Sequence, residues 1–151
     1  MANVRFQRGN FVVADLDRAL QFYEGVLGFT IDYRQGHNPD SYSFPVFEIP
    51  ADAELGFVTL SLPDQTRVMA LTEIKHPSAE TVHHPRRSAI VLEAFDLDTV
   101  VGGAKALGLQ VYDEEVLHTN DGRVGREIGI VDFDDNLVVI YKIGAASADG
   151  D

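Results

Sequence analysis

The chain of 151 residues has no cysteine, which excludes disulfide staples, thiol catalysis and cysteine metal sites and is compatible with a reducing compartment. Positive charge is scarce, with twelve Lys and Arg against twenty-four Asp and Glu, giving a formal net charge of −12. Nucleic-acid binding depends on clustered cations that neutralise phosphates, so a nucleic-acid partner is not expected. The acidity serves solubility and is too weak a clue to name a cationic ligand. No apolar run approaches membrane-spanning length, and the opening MANVRFQRGN has no apolar stretch of the secretory kind. The expectation is a cytoplasmic protein that does not engage membranes. No P-loop, dinucleotide fingerprint or activated-serine motif is present.

What the chain does have is apolar mass, 45% hydrophobic with nine Phe and five Tyr, ample for a packed core. The organising stretch is NFVVADLDRALQFYEGVLGF, residues 10–29, where the hydrophobic period changes from two to about three and a half. Phe11 and Val13 share one face of a strand, and Asn10, Val12 and Ala14 the other. Leu16, Leu20, Tyr23 and Leu27 then form a helical stripe, with Asp15 as cap and Gly28 as stop. Downstream, Asp96-Leu97-Asp98 repeats Asp15-Leu16-Asp17, and Leu107-Gly108-Leu109 repeats Leu27-Gly28-Phe29. The chain reads as an internal duplication.

Each half is expected to be a βαβββ module, residues 4–74 and 88–143, joined by a linker at 75–87 and followed by a mobile acidic tail at 144–151. In the first, 4–14, 30–34, 41–49, 55–62 and 67–74 read as strands, although Pro45 marks 41–49 as an edge or irregular one. In the second, the strands are 88–94, 110–112, 126–131 and 137–143, and the helix is 97–107, weakened by Gly102 and Gly103 at about 1 kcal/mol each. Without a gap, 57–74 overlays 126–143.

Two such modules, with VADLDRALQFY and VLGF in the first and Gly125-Arg126-Glu127 with Asp132-Phe133-Asp134-Asp135-Asn136 in the second, resemble the vicinal oxygen chelate superfamily. It includes glyoxalase I, extradiol dioxygenases, and bleomycin and fosfomycin resistance proteins. The resemblance covers residues 4–143 and implies an α+β fold. Its two tandem modules form curved mixed sheets around a concave cavity, with the helices on the convex side. Reactions vary widely on this scaffold, so the resemblance identifies the fold rather than the chemistry.

Metal-dependent members place a His or Gln in each module's first strand and a Glu in its last. Here those positions are Arg8, Ala89, Ala70 and Val139, and none can supply a metal ligand. Glu73, in a final strand, has the wrong parity for one. No metal and no cofactor are therefore expected. His76, His83 and His84 read as a Pro-interrupted solvated linker, and Asp134, Asp135 and Asn136 as turn chemistry rather than a calcium loop.

The ligand-binding candidates are Arg8, Asn10, Tyr42, Phe44, Glu93, Phe95, His118, Val139 and Tyr141. Strand parity puts Arg8, Asn10 and Glu93 on the concave face, where Arg8 and Glu93 pair with each other or with a ligand. The aromatics, with Phe47, line an apolar cavity. No catalytic residue is assigned. The expectation is a metal-free protein of the bleomycin-resistance type that sequesters a small organic molecule, as a homodimer. Two alternatives remain open. One is a lyase, isomerase or dioxygenase, with misplaced metal ligands or with Glu93, His37 or His118 as a base. The other is a module whose cavity is filled by its own side chains.

Overall fold

The computed structural model describes residues 1–77 and 84–144. His83, half of the expected linker and nearly all of the expected mobile tail lie outside them. The chain divides into two compact units, Met1–His83 and His84–Asp151. The fold is α+β with two mixed sheets, as the duplication implies, and among the described residues no helix is long and apolar enough to cross a membrane.

In the first unit, β1 (Gly9–Val13) leads into α1 (Leu16–Tyr23), and β2 (Thr30–Gln35), the short α2 (Ser43–Val46), β3 (Glu54–Leu62) and β4 (Gln65–Lys75) follow. The strand order is β1-β4-β3-β2, with β1 parallel to β4 and the other pairings antiparallel. Phe11, Leu71 and Val58 stand side by side on the face that packs against α1. The α1 stripe of Leu16, Ala19, Leu20, Phe22 and Tyr23 is buried there, each large side chain contributing about 1.5–3 kcal/mol. Tyr23 meets Phe22 and Phe29 edge-on, at ring distances of 5.1 and 6.4 Å. Asp15 caps the helix, its carboxylate accepting from Arg18 N at 3.1 Å. The helix ends at Tyr23, five residues before Gly28, which takes φ +86° where Phe29 N bonds back to Tyr23 O.

Two expectations for this unit need correction. The first strand begins at Gly9 rather than at residue 4, because β4 bulges around Thr66–Val68 and offers no regular ladder upstream of the Gly9–Met69 pair. Residues 41–49 form a turn and a short helix, not a strand. Asp40 N donates to Asn38 Oδ1 and Ser43 N to Ser41 Oγ, and this local capping overrides the aromatic alternation. Pro45 fits within that first helical turn, where its missing N–H costs nothing.

The second unit runs β5 (Ala89–Glu93), α3 (Leu97–Ala106), β6 (Gln110–Val111), β7 (Glu115–His118), β8 (Val124–Val131) and β9 (Leu137–Ile143). Its order is β5-β9-β8-β6, with β7 also on β8. Gly108, at φ +78°, ends α3 in a Schellman arrangement, Leu109 N bonding to Ala104 O and Gly108 N to Lys105 O. The strand after the helix is split, so β7 was missed. The ungapped overlay is also one residue out on one strand. Leu71 lies beside Phe11 and Val58, whereas Ile140 lies beside Leu92 and Ile128, so the offset is 69 on the last strand and 70 on the one before it.

Candidate functional site

The face of the first sheet opposite α1 carries Asn10, Ala70 and Thr59 in one row, and Val12, Thr72 and Phe57 in the next. Thr72 Oγ1 donates to Asn10 Oδ1 at 3.0 Å. Two of the hollows that the described residues of this unit form share Phe57. One, of about 180 Å³, is lined by neutral groups that include Gln35, Asn38, Ser41, Ser43 and Thr72. The other, of about 470 Å³, is lined by Gln7, Arg8, Tyr33, Phe57, Thr59 and Arg67.

The second hollow has a marked chemistry. Its lining has two guanidinium groups and no carboxylate. Thr59 is only 4% exposed, and its hydroxyl has no hydrogen-bond partner among the described residues. Arg67 sits in the β4 bulge at φ +50°, a left-handed conformation that costs a non-glycine residue about 1–3 kcal/mol. It is held there by Ser61, whose hydroxyl accepts from Arg67 N at 2.7 Å and donates to Asp32 Oδ2 at 2.6 Å.

Of the sequence-based candidates, Arg8 lines this hollow and Asn10 lies on the same sheet face. Tyr42 is exposed and Phe44 half-buried in the turn and short helix that replace the expected strand, so the aromatic run with Phe47 does not line a cavity as a strand face. His37 Nδ1 accepts from Leu55 N at 3.0 Å, and its ring meets Phe44 edge-on, a contact that fastens the loop to β3. In the second unit, Glu93 lies beside Tyr141 and Val91 beside Val139, on the face opposite the buried Ile140 and Val138. Phe95 is exposed, its carbonyl accepting from Lys142 Nζ at 2.8 Å, and His118 is exposed at the end of β7. Arg8 and Glu93 belong to different units.

Several groups have structural partners. Glu73 is buried on the α1 side, and its Oε2 accepts from Leu16 N at 2.7 Å. Asp132 Oδ1 accepts from Asp134 N and Asn136 N, both at 2.8 Å, which makes residues 132–136 a turn, as their composition implies. His84 Nε2 lies 3.1 Å from Asp135 Oδ2 and His76 Nε2 3.3 Å from Asp52 Oδ1. Arg86, within the expected linker, bonds to Asp135 at 2.6 Å and to the Tyr112 hydroxyl at 3.0 Å.

Sequence reasoning missed Tyr33, Phe57, Thr59 and Arg67. The parity of the 55–74 hairpin was signal enough to put Phe57 and Thr59 on the face of Asn10. Arg67 depends on a bulge that leaves no trace in the hydrophobic pattern.

Paired mixed sheets, each backed by one helix that a D-L-D motif starts, define the class of the vicinal oxygen chelate fold. The sequence model of the Glyoxalase/Bleomycin resistance protein/Dioxygenase superfamily matches residues 5–140, and the chain belongs to that superfamily. Among solved structures, it is similar to a glyoxalase family protein from Bacillus cereus, at 18% identity and TM-score 0.71, covering 96% of this chain and 99% of that one. A fosfomycin resistance protein from Listeria monocytogenes, complexed with Mn(II) and sulfate, matches at 16% identity and TM-score 0.63, covering 97% and 96%. The trypanothione-dependent glyoxalase I of Leishmania major matches at 17% identity and TM-score 0.62, covering 93% and 87%. A comparison with curated proteins finds no match.

The described residues do not fit a divalent metal centre of the kind that the Mn(II)-complexed Listeria protein holds. On the faces opposite the helices, the first and last strands of the two units present Asn10, Val12, Ala70 and Thr72, and Ala89, Val91, Glu93, Val139 and Tyr141. Arg8, just before β1, has no lone pair to donate. Among the described residues no three His, Cys, Asp or Glu side chains form a group able to hold a metal.

Proposed function

We propose that this protein binds a small organic molecule on the open face of its first sheet without a metal ion, in the manner of the sequestering, bleomycin-resistance type of its superfamily. The observation that carries this reading is the roughly 470 Å³ hollow over Phe57, Tyr33 and Thr59, flanked by arginines rather than metal ligands. An aromatic floor with a few polar groups around it is the common make-up of small-ligand sites. A base for proton-transfer chemistry is not among the lining residues, and His37 is engaged by the backbone of Leu55. The same reading takes the protein as a homodimer, because each sheet ends in edge strands, β1 and β2 in the first, that a second chain can cover.

Native mass spectrometry of the freshly purified protein, before and after chelation, tests both points. The expected result is a species of twice the 16.6 kDa chain mass that carries an organic adduct which chelation does not remove. An adduct that leaves together with one equivalent of metal overturns the metal-free reading. A spectrum of monomer alone at micromolar concentration overturns the dimer.

A further inference from the structure

We infer that the hollow of the first unit recognises an oxyanion, a carboxylate or a phosphate-like group, carried on an apolar or aromatic body. This deepens the small-molecule reading and rests on it. Three independent observations converge on the same few residues. Arg8 and Arg67 both line the hollow, their side chains have no ion-pair or hydrogen-bond partner among the described residues, and no carboxylate shares the lining. Four other arginines in this acidic chain are paired, Arg34 with Asp17, Arg86 with Asp135, Arg123 with Asp121, and Arg126 with Asp98 and Glu114, while the exposed Arg5 and Arg87 have no side-chain partner among the described residues and line neither hollow. In a chain with twice as many acids as bases, two unpaired guanidiniums share one hollow whose lining has no carboxylate.

The second observation is the buried Thr59 hydroxyl, which has no hydrogen-bond partner among the described residues. A buried hydroxyl without a partner destabilises the free protein, and an oxygen acceptor in the hollow relieves that cost. The third is the backbone of Arg67. A left-handed conformation in an arginine, held by the Asp32–Ser61–Arg67 chain of hydrogen bonds, fixes where this side chain leaves the strand. A guanidinium pair forms charge-assisted hydrogen bonds with a planar carboxylate or a tetrahedral phosphorus oxyanion. Phe57 and Tyr33 provide the surface on which the body of the ligand rests.

The test is calorimetric titration of the full chain with four probes: benzoate, phenylphosphonate, inorganic phosphate and the neutral isostere benzamide. Benzoate or phenylphosphonate is expected to bind at least about tenfold more tightly than benzamide, and their affinities separate the carboxylate from the phosphorus class. Arg8→Gln and Arg67→Gln should each weaken the anionic probes about tenfold or more, leaving benzamide unchanged. Both side chains are exposed, so neither variant threatens folding. Thr59→Val should weaken anion binding while raising the melting temperature of the free protein by about 2–4 °C, a pair of changes that a purely structural threonine does not give. Phe57→Ala should weaken every aromatic probe alike. If benzamide matches benzoate, or the arginine variants bind the anions normally, the oxyanion assignment falls while the small-molecule reading stands. If no probe binds at about 10 mM, the assignment falls too, and the native mass spectrum decides separately whether the protein holds any organic ligand.

Discussion

Glu73 shows how a single residue in this fold changes role with strand parity. It lies in β4, the strand from which metal-dependent relatives offer a carboxylate, yet it points to the helix side and binds the first free backbone N–H of α1 at Leu16. A carboxylate at a helix start satisfies an otherwise unpaired donor and suits the positive end of the helix dipole. The neighbouring position in β3 is Gly56, and a Cβ there would stand 2.8 Å from Glu73 Oε1 and 3.3 Å from Leu16 Cδ1. The glycine is therefore what lets the carboxylate reach the helix. Glu73→Ala should cost about 1–3 kcal/mol by leaving Leu16 N unpaired. Gly56→Ala should cost a similar amount, about 1–3 kcal/mol, by overpacking. The double variant should be at least about 1 kcal/mol more stable than the sum of the two losses, since removing the carboxylate makes room for the new methyl group. Urea denaturation of the four proteins measures this coupling, and simple additivity would show that Gly56 serves some other purpose.

The two modules fasten the starts of their helices with different residues. In each, the second Asp of the D-L-D motif meets an arginine, Asp17 with Arg34 at 2.9 Å and Asp98 with Arg126 at 2.8 Å. In structural register Gly56 corresponds to Arg126 and Glu73 to Lys142, so the second unit puts two cations where the first has a glycine and a carboxylate. Arg126 also binds Glu114 at 2.6 Å, and its hydrogen bonds hold the carboxyls of both Asp98 and Glu114 below their ordinary values. A depressed folded-state pKa gives stability that is present above the unfolded value and lost as pH falls. This contribution is accordingly intact above the ordinary Glu value of 4.5 and fades below the ordinary Asp value of 3.8. Arg126→Gln should lower the melting temperature near neutral pH, and the gap to the wild type should close as pH drops below 4, with Asp121, lowered to about 2 chiefly by the Thr119 hydroxyl and then by Arg123, still contributing to both proteins. A gap that stays constant with pH would assign Arg126 a packing role alone. Helix starts, strand parity on β1, β4, β5 and β9 and the hairpin turns were legible in the sequence, because each rests on local periodicity or capping. The turn and helix at 41–47 were not, because two short side-chain caps outcompete a run of aromatics spaced as in a strand.

At the scale of the whole molecule, the duplication was the most legible feature, and the site was the least. Asn10 was readable as a residue of the strand face opposite α1, whereas Arg8 lies just before β1, and Arg67 and the orphaned hydroxyl of Thr59 follow from a bulge and from burial, which no single stretch of sequence encodes. The donor chemistry of the strands was readable, and it carries a prediction about the fold as a whole. The superfamily supports metal-dependent proteins on this architecture, so stability of the scaffold itself is the property to measure. A ligand that binds only the folded state raises stability by an amount set by its concentration over Kd. A micromolar Mn(II) or Zn(II) site at 1 mM metal would contribute about 4 kcal/mol, or about 8–16 °C in a chain of this size. In place of such ligands, the first and last strands of the two units present, on the faces opposite the helices, methyl, hydroxyl, amide and phenol groups and the carboxylate of Glu93, with Glu127 beside Tyr141 on β8. Arg8, beside β1, adds a positive charge that repels a divalent ion placed at that end of the face, by about 4 kcal/mol per unit of ion charge at 4 Å and an effective dielectric of about 20. Thermal melts with 1 mM Mn(II), with 1 mM Zn(II) and with chelator should therefore agree within about 1 °C, against the 8–16 °C that a resident site demands. A rise of several degrees with either ion, abolished by chelation, would mean that this chain assembles a metal centre from other residues.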